Sequence, residues 1–112
     1  MKRILILGLI LALSACSPQE AQPIQKSNII DIVSQDAEIA RIDGDIIYIK
    51  EGTSVNQLFD VIKATDSSEI TKKALNSEGD QKQTDIFYEY EQVEITSESG
   101  NNSKVYFIRY LQ

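Results

Sequence analysis

One stretch limits the fold more than any other. In residues 52–64 the apolar side chains Val55, Leu58, Phe59 and Ile62 recur at i, i+3, i+4 and i+7, the spacing of a single helix face. Asn56, Gln57, Asp60 and Lys63 take the opposite face. Ser54 followed three residues later by Gln57 forms a capping box, in which each side chain satisfies a backbone N–H that the first turn leaves free. After the N-terminus no other stretch carries this period convincingly. The remainder is β-rich, so one helix has to cover the apolar face of a sheet.

The strands follow from alternation and turn residues. Asn28–Ser34 fits a first strand or a short helix. Ala37–Ile42 and Asp45–Ile49 flank Asp43-Gly44, a strong hairpin signal. Ile39 with Ala37 is expected in the core of the first run, and Ile47 with Ile49 in that of the second. Glu69–Leu75 reads as a weak strand anchored by Ile70. Its Lys72 and Lys73 suit a sheet edge, where charge discourages pairing with other chains. Residues 86–90 open a β-rich tail. Gln92–Ser97 alternates, with Val93 and Ile95 on one side. Lys104–Leu111 is apolar on both faces apart from Arg109, which suits a central strand. The expected fold class is α+β: a mostly antiparallel sheet with one packed helix, β-grasp-like, or alternatively a β-sandwich with one helix.

The first residues carry a different message. Met1-Lys2-Arg3, the apolar run Ile4–Leu13 and then Ser14-Ala15-Cys16 have the layout of a secretory signal peptide. The apolar run is too short for a membrane-spanning helix, which needs about 20 residues. Leu13-Ser14-Ala15-Cys16 resembles the bacterial lipobox. The resemblance implies a lipoprotein cut before Cys16, diacylated on its sulfur and held stably by two or three acyl chains. It divides the chain into a signal peptide (1–15), a lipidated Cys16 with a flexible tether (16–27) and a small α+β domain (28–112). The tether contains both prolines and reaches at most roughly 35 Å when extended. Ser17 rather than Asp after the Cys implies, by the same resemblance, the outer membrane if the source is Gram-negative.

A second resemblance covers roughly residues 36–111. Ala37-Glu38-Ile39, then Ile47–Val55 with Glu51-Gly52-Thr53, then Leu58 and Ile62, then Val93–Gly100 and finally Lys104–Ile108 follow the pattern of a small module. That module is found, often repeated, in secreted bacterial cell-surface proteins. The pattern consists of turns and core positions and contains no catalytic group. Ser97-Glu98-Ser99-Gly100 stands where the module usually has Ala-Glu-Asp-Gly.

Charge and residue types bound the function. Eleven basic and 17 acidic residues give a net charge of −6. Without Lys2 and Arg3, nine basic residues remain against 17 acidic, a net charge of −8. Such a body does not suit nucleic acid or an anionic lipid surface, so the membrane is reached through the lipid anchor. There is no His, and Cys16 is the only Cys, which removes Ser-His and Cys-His catalysis. No Gly-rich phosphate loop or nucleophile elbow is present. Asp43-Gly44-Asp45 reads as a turn, since a calcium loop needs about six oxygen ligands. The expectation is therefore no catalytic residues, cofactor or metal.

The aromatics cluster late, and Tyr88, Tyr90, Tyr106 and Tyr110 form a candidate binding face for an envelope protein or glycan; the alternative is core packing, since Tyr and Phe favour half-buried strand surfaces. In the last strand, Tyr106, Ile108 and Tyr110 share one side and Val105, Phe107 and Leu111 the other; one set packs on the helix. The expected role is a non-catalytic accessory or binding module at the cell envelope. The alternatives are a structural spacer and an inhibitor or immunity-type lipoprotein.

Overall fold

The computed structural model describes residues 25–112. The expected signal peptide, Cys16 and most of the expected tether lie outside the described residues. Among the described residues the fold is α+β, mostly sheet with one helix. In chain order the elements are β1 (Ile32–Ser34), β2 (Ala40–Asp43), β3 (Ile46–Ile49), α1 (Val55–Val61), β4 (Ile62–Ala64), β5 (Thr71–Leu75), β6 (Gln92–Thr96) and β7 (Ser103–Tyr110). Five strands form one sheet in the order β2-β3-β7-β6-β5, and β1 pairs with β4 as a separate antiparallel ribbon.

The sheet is antiparallel except at its centre, where β3 and β7 run parallel. Parallel neighbours need a long connection that crosses the sheet. Here α1 lies within that connection, which brings it onto one face. Ile47, Ile49, Val93, Ile95 and Ile108 from the sheet, Leu58 from α1 and Phe87 are fully buried together. Each such side chain, fully buried, contributes about 1.5–3 kcal/mol of hydrophobic transfer free energy.

The capping box forms as expected. The Gln57 N–H donates to Ser54 Oγ at 3.1 Å, and the Ser54 N–H donates to Gln57 Oε1 at 2.9 Å. The helix is shorter than the periodic stretch, because Ile62 is already extended and begins β4. Ile62 keeps its place in the core all the same. The last turn of α1 holds no basic residue of its own. Lys72 of β5 supplies that charge from outside, donating to the carbonyls of Phe59 at 2.5 Å and Ile62 at 2.9 Å. Burial, then the nearby Lys63, pushes the Lys72 ammonium below the usual lysine range.

Several local expectations shift. The hairpin turn is Gly44-Asp45, with Asp43 facing Ile46 across it. Gly44 has φ +60°, a conformation that suits the first position of a tight hairpin turn and that other residues rarely adopt. β2 begins at Ala40, because Asp36 takes the Glu38, Ile39 and Ala40 N–H groups into a turn. Ala37 is therefore exposed, and Ala40 takes the buried position. β5 does lie at a sheet edge. Residues 86–90 do not form a strand. They make a loop that bridges to Ser54 and sends Phe87 into the core.

The chain enters the domain at one end of the sheet. Asn28 is held by the β6–β7 turn: Ser99 Oγ donates to its side-chain oxygen, and Asn102 Nδ2 donates to its carbonyl at 2.8 Å. Tyr106 Oη donates to the Ile30 carbonyl at 3.2 Å.

Candidate binding face

Strand alternation gives the sheet two unlike sides. Tyr106 and Ile108 of β7 point toward the helix. Val105, Phe107 and Arg109 point away from it, level with Ile46 and Tyr48 of β3. In the parallel register Ile46 lies beside Phe107 and Tyr48 beside Arg109. Phe107 is 45% exposed, while Ile46, Tyr48 and Val105 are half-buried. Among the described residues, neither α1 nor the ribbon covers this side. Its flanks carry Arg41 and Asp43 on β2 and Gln92 and Glu94 on β6. The result is an apolar, aromatic stripe with a charged margin.

The loop before β6 extends this stripe. Phe87 anchors it, with its N–H on the Thr53 carbonyl at 3.0 Å and its ring 6.3 Å from that of Phe59. Lys82 and Glu91 form a salt bridge at 2.8 Å, and their side chains are only 2% and 12% exposed. The Lys82 ammonium also sits 5.4 Å from the Phe87 ring and 5.5 Å from the Tyr88 ring. Glu91 additionally accepts the Tyr88 N–H at 2.8 Å. Tyr90 is held at φ +72°, where a side chain other than Gly is strained, and its N–H donates to the Ile108 carbonyl at 2.8 Å. Its ring lies 5.0 Å from the Arg109 guanidinium. Arg109 meets Glu89 at 3.5 Å, and the same Glu89 oxygen accepts the Tyr110 N–H at 3.0 Å. The loop is thus fixed at both ends, and it presents Tyr88 at 52% and Tyr90 at 60% exposure.

The four tyrosines expected on one face therefore separate. Tyr88 and Tyr90 are on the surface. Tyr110 is half-buried against the core, and burial, then Glu51, raises its hydroxyl above the usual tyrosine range. Tyr106 is 2% exposed and belongs to the core, which removes it from any binding face. In its place stand Tyr48, Phe107 and Arg109. For Phe107 the alternation of β7 carried the signal, because Val105 and Phe107 occupy the side opposite Tyr106. For Tyr48 the signal was missing, since the parallel pairing of β3 with β7 brings it there.

A cleft of about 590 Å³ opens between α1, β5 and residues 81–85. It is bordered by Lys72, Lys73 and Lys82, of which Lys72 is committed to the helix carbonyls and Lys82 to Glu91. Among the described residues no group of three or more His, Cys, Asp or Glu is placed to hold a metal ion. Asp45 instead pairs with Lys104 at 3.1 Å. No helix among the described residues is long and apolar enough to cross a membrane. No protein-family model, curated protein or solved structure matches the chain.

Proposed function

We propose that the chain is a non-catalytic binding module of a bacterial envelope lipoprotein, tethered through Cys16 and contacting its partner through the uncovered side of the sheet. The observation that carries the reading is the stripe of Tyr48, Phe107 and Val105 continuing to Tyr90 stacked on Arg109. Exposed apolar patches with polar margins mark interaction sites, and Tyr and Arg are the residue types that concentrate binding energy. The lipobox resemblance and the acidic composition support an envelope location reached by lipid.

Two measurements test the proposal. Full-length chain with Cys16→Ser is expected in the soluble fraction and still folded; a variant that stays membrane-bound after washing overturns the lipoprotein part. For binding, the full-length wild type and a Tyr48→Ser/Phe107→Ser variant are compared for retention on envelope material of the source organism. The wild type is expected to be retained and the double variant washed through. Equal retention of both removes the sheet face from the reading. One observation favours the inhibitor-type alternative: the 86–91 loop is firmly held and offers two exposed tyrosines. Retention that survives the sheet-face variant and fails in Tyr88→Ser/Tyr90→Ser supports it.

A further inference from the structure

On the outer edge of β2 the Ala40 N–H is taken by the Asp36 carbonyl, but Ile42 is open, and the charges that flank it are self-complementary. We propose that two copies of this chain associate edge to edge through β2, antiparallel about a two-fold axis at Ile42.

The carbonyls of Asp45 and Ile49 accept the Phe107 and Leu111 N–H groups, so the groups of Ile46 and Tyr48 turn toward β2. By the register of the hairpin, Arg41 and Asp43 use their backbone groups on β3. Ile42 lies between them, so its N–H and C=O point outward. β1 lies nearby but belongs to another sheet and does not pair with β2. An open groove of about 360 Å³ separates the two, lined by Ile32, Val33, Ala37, Ala40 and Ile42.

An antiparallel partner centred on Ile42 would set Ile42 against its own copy, with the two exchanging both backbone hydrogen bonds. That register places Arg41 of each copy directly opposite Asp43 of the other, twice over. Both side chains are exposed and lie on the same side of the sheet. Arg41 Nε donates to the Ala37 carbonyl at 3.2 Å, but among the described residues neither side chain has a salt-bridge partner within the chain. Opposite charges facing across neighbouring strands are stabilising, and like charges destabilising. The opposite edge differs: β5 carries Lys72 and Lys73 in succession, and Lys73 facing a copy of β5 would find no acidic residue there. Self-complementarity of charge therefore singles out a second copy as the occupant of the β2 edge.

The test uses full-length chain in density-matched detergent, followed by sedimentation equilibrium. Wild type is expected to show a monomer–dimer equilibrium that weakens as salt rises. Arg41→Asp and Asp43→Arg are each expected to weaken association roughly tenfold or more, because four like charges then meet at the seam. The double variant Arg41→Asp/Asp43→Arg restores every pair and is expected to dimerise like wild type. An equimolar mixture of the two single variants is expected to form a heterodimer. Circular dichroism checks that each variant is folded. A wild type that stays monomeric at millimolar concentration overturns the proposal. So does a single charge reversal that leaves dimerisation unchanged, or a double reversal that fails to restore it.

Discussion

Tyr106 and Phe107 are consecutive residues of β7, yet they face different solvents. Tyr106 is 2% exposed, packed among Ile47, Val93 and Ile108, with its hydroxyl on the Ile30 carbonyl. Phe107 is 45% exposed on a side that nothing described covers. One aromatic holds the N-terminal segment to the sheet, and the other is free to meet a partner. The difference teaches that aromatic content in a strand identifies neither core nor site. The side of the sheet decides it, and the side is set by what the crossover connection carries across.

The sharpest way to break this comparison is to truncate each residue. Tyr106→Ala is expected to cost about 3–5 kcal/mol in urea unfolding, through lost burial and the cavity left behind. Phe107→Ala is expected to cost less than about 1 kcal/mol, as surface substitutions do. Equal losses would mean that the outer side is covered after all.

The second contrast lies between two ion pairs. Lys82–Glu91 is buried under the loop that presents Tyr88 and Tyr90, whereas Lys104–Asp45 stands largely in water. Lys82→Met is expected to cost about 3 kcal/mol, because it leaves the Glu91 carboxylate buried without its cation. Adding Glu91→Leu is expected to restore most of that loss. Asp45→Asn is expected to change stability by no more than about 0.5 kcal/mol. Chemical denaturation of the four proteins side by side checks the ranking.

Most of the core was legible in the sequence, because local rules and tertiary structure agree there. Ile47 and Ile49 alternate inward as their spacing demands, Val93 and Ile95 do the same, and the Ser54–Gln57 box marks the helix start. Ser54→Ala is accordingly expected to lower stability by about 1 kcal/mol. The loop of residues 86–91 was not legible. Its Ile-Phe-Tyr composition favours a strand. Its path is fixed by Lys82, by the Thr53 carbonyl and by the positive φ of Tyr90, all of them tertiary constraints. The candidate site was half legible for the same reason. Tyr88 and Tyr90 were identified from composition and stand on the surface, while Tyr48 joins Arg109 only through a parallel register that no local pattern encodes.

The smallest effect concerns the Tyr106 hydroxyl itself. Burial raises it above the usual tyrosine range, opposed by the Lys104 charge nearby. A folded-state value above the unfolded one means that folding favours the protonated phenol. This contribution is fully present below about pH 10, the unfolded value, and is lost as the pH rises through the folded one. Wild type is therefore expected to lose stability with pH above about 10 more steeply than Tyr106→Phe. At neutral pH the variant lacks only the hydrogen bond to Ile30, worth about 1 kcal/mol. Lys104, held protonated mainly by its hydrogen bond to Asp45, and Tyr110, raised by burial, add alkaline losses of the same sign. Lys72, pushed down by burial, works in the opposite sense. Tyr110 and Lys72 remain in the variant unchanged, and Lys104 loses only the smaller part of its shift that Tyr106 supplies, so the difference between the two stability curves reports Tyr106 together with its coupling to Lys104. Parallel curves above pH 10 would mean that the phenol is hydrated in the folded protein, and the division between the two sides of the sheet would have to be redrawn at that residue.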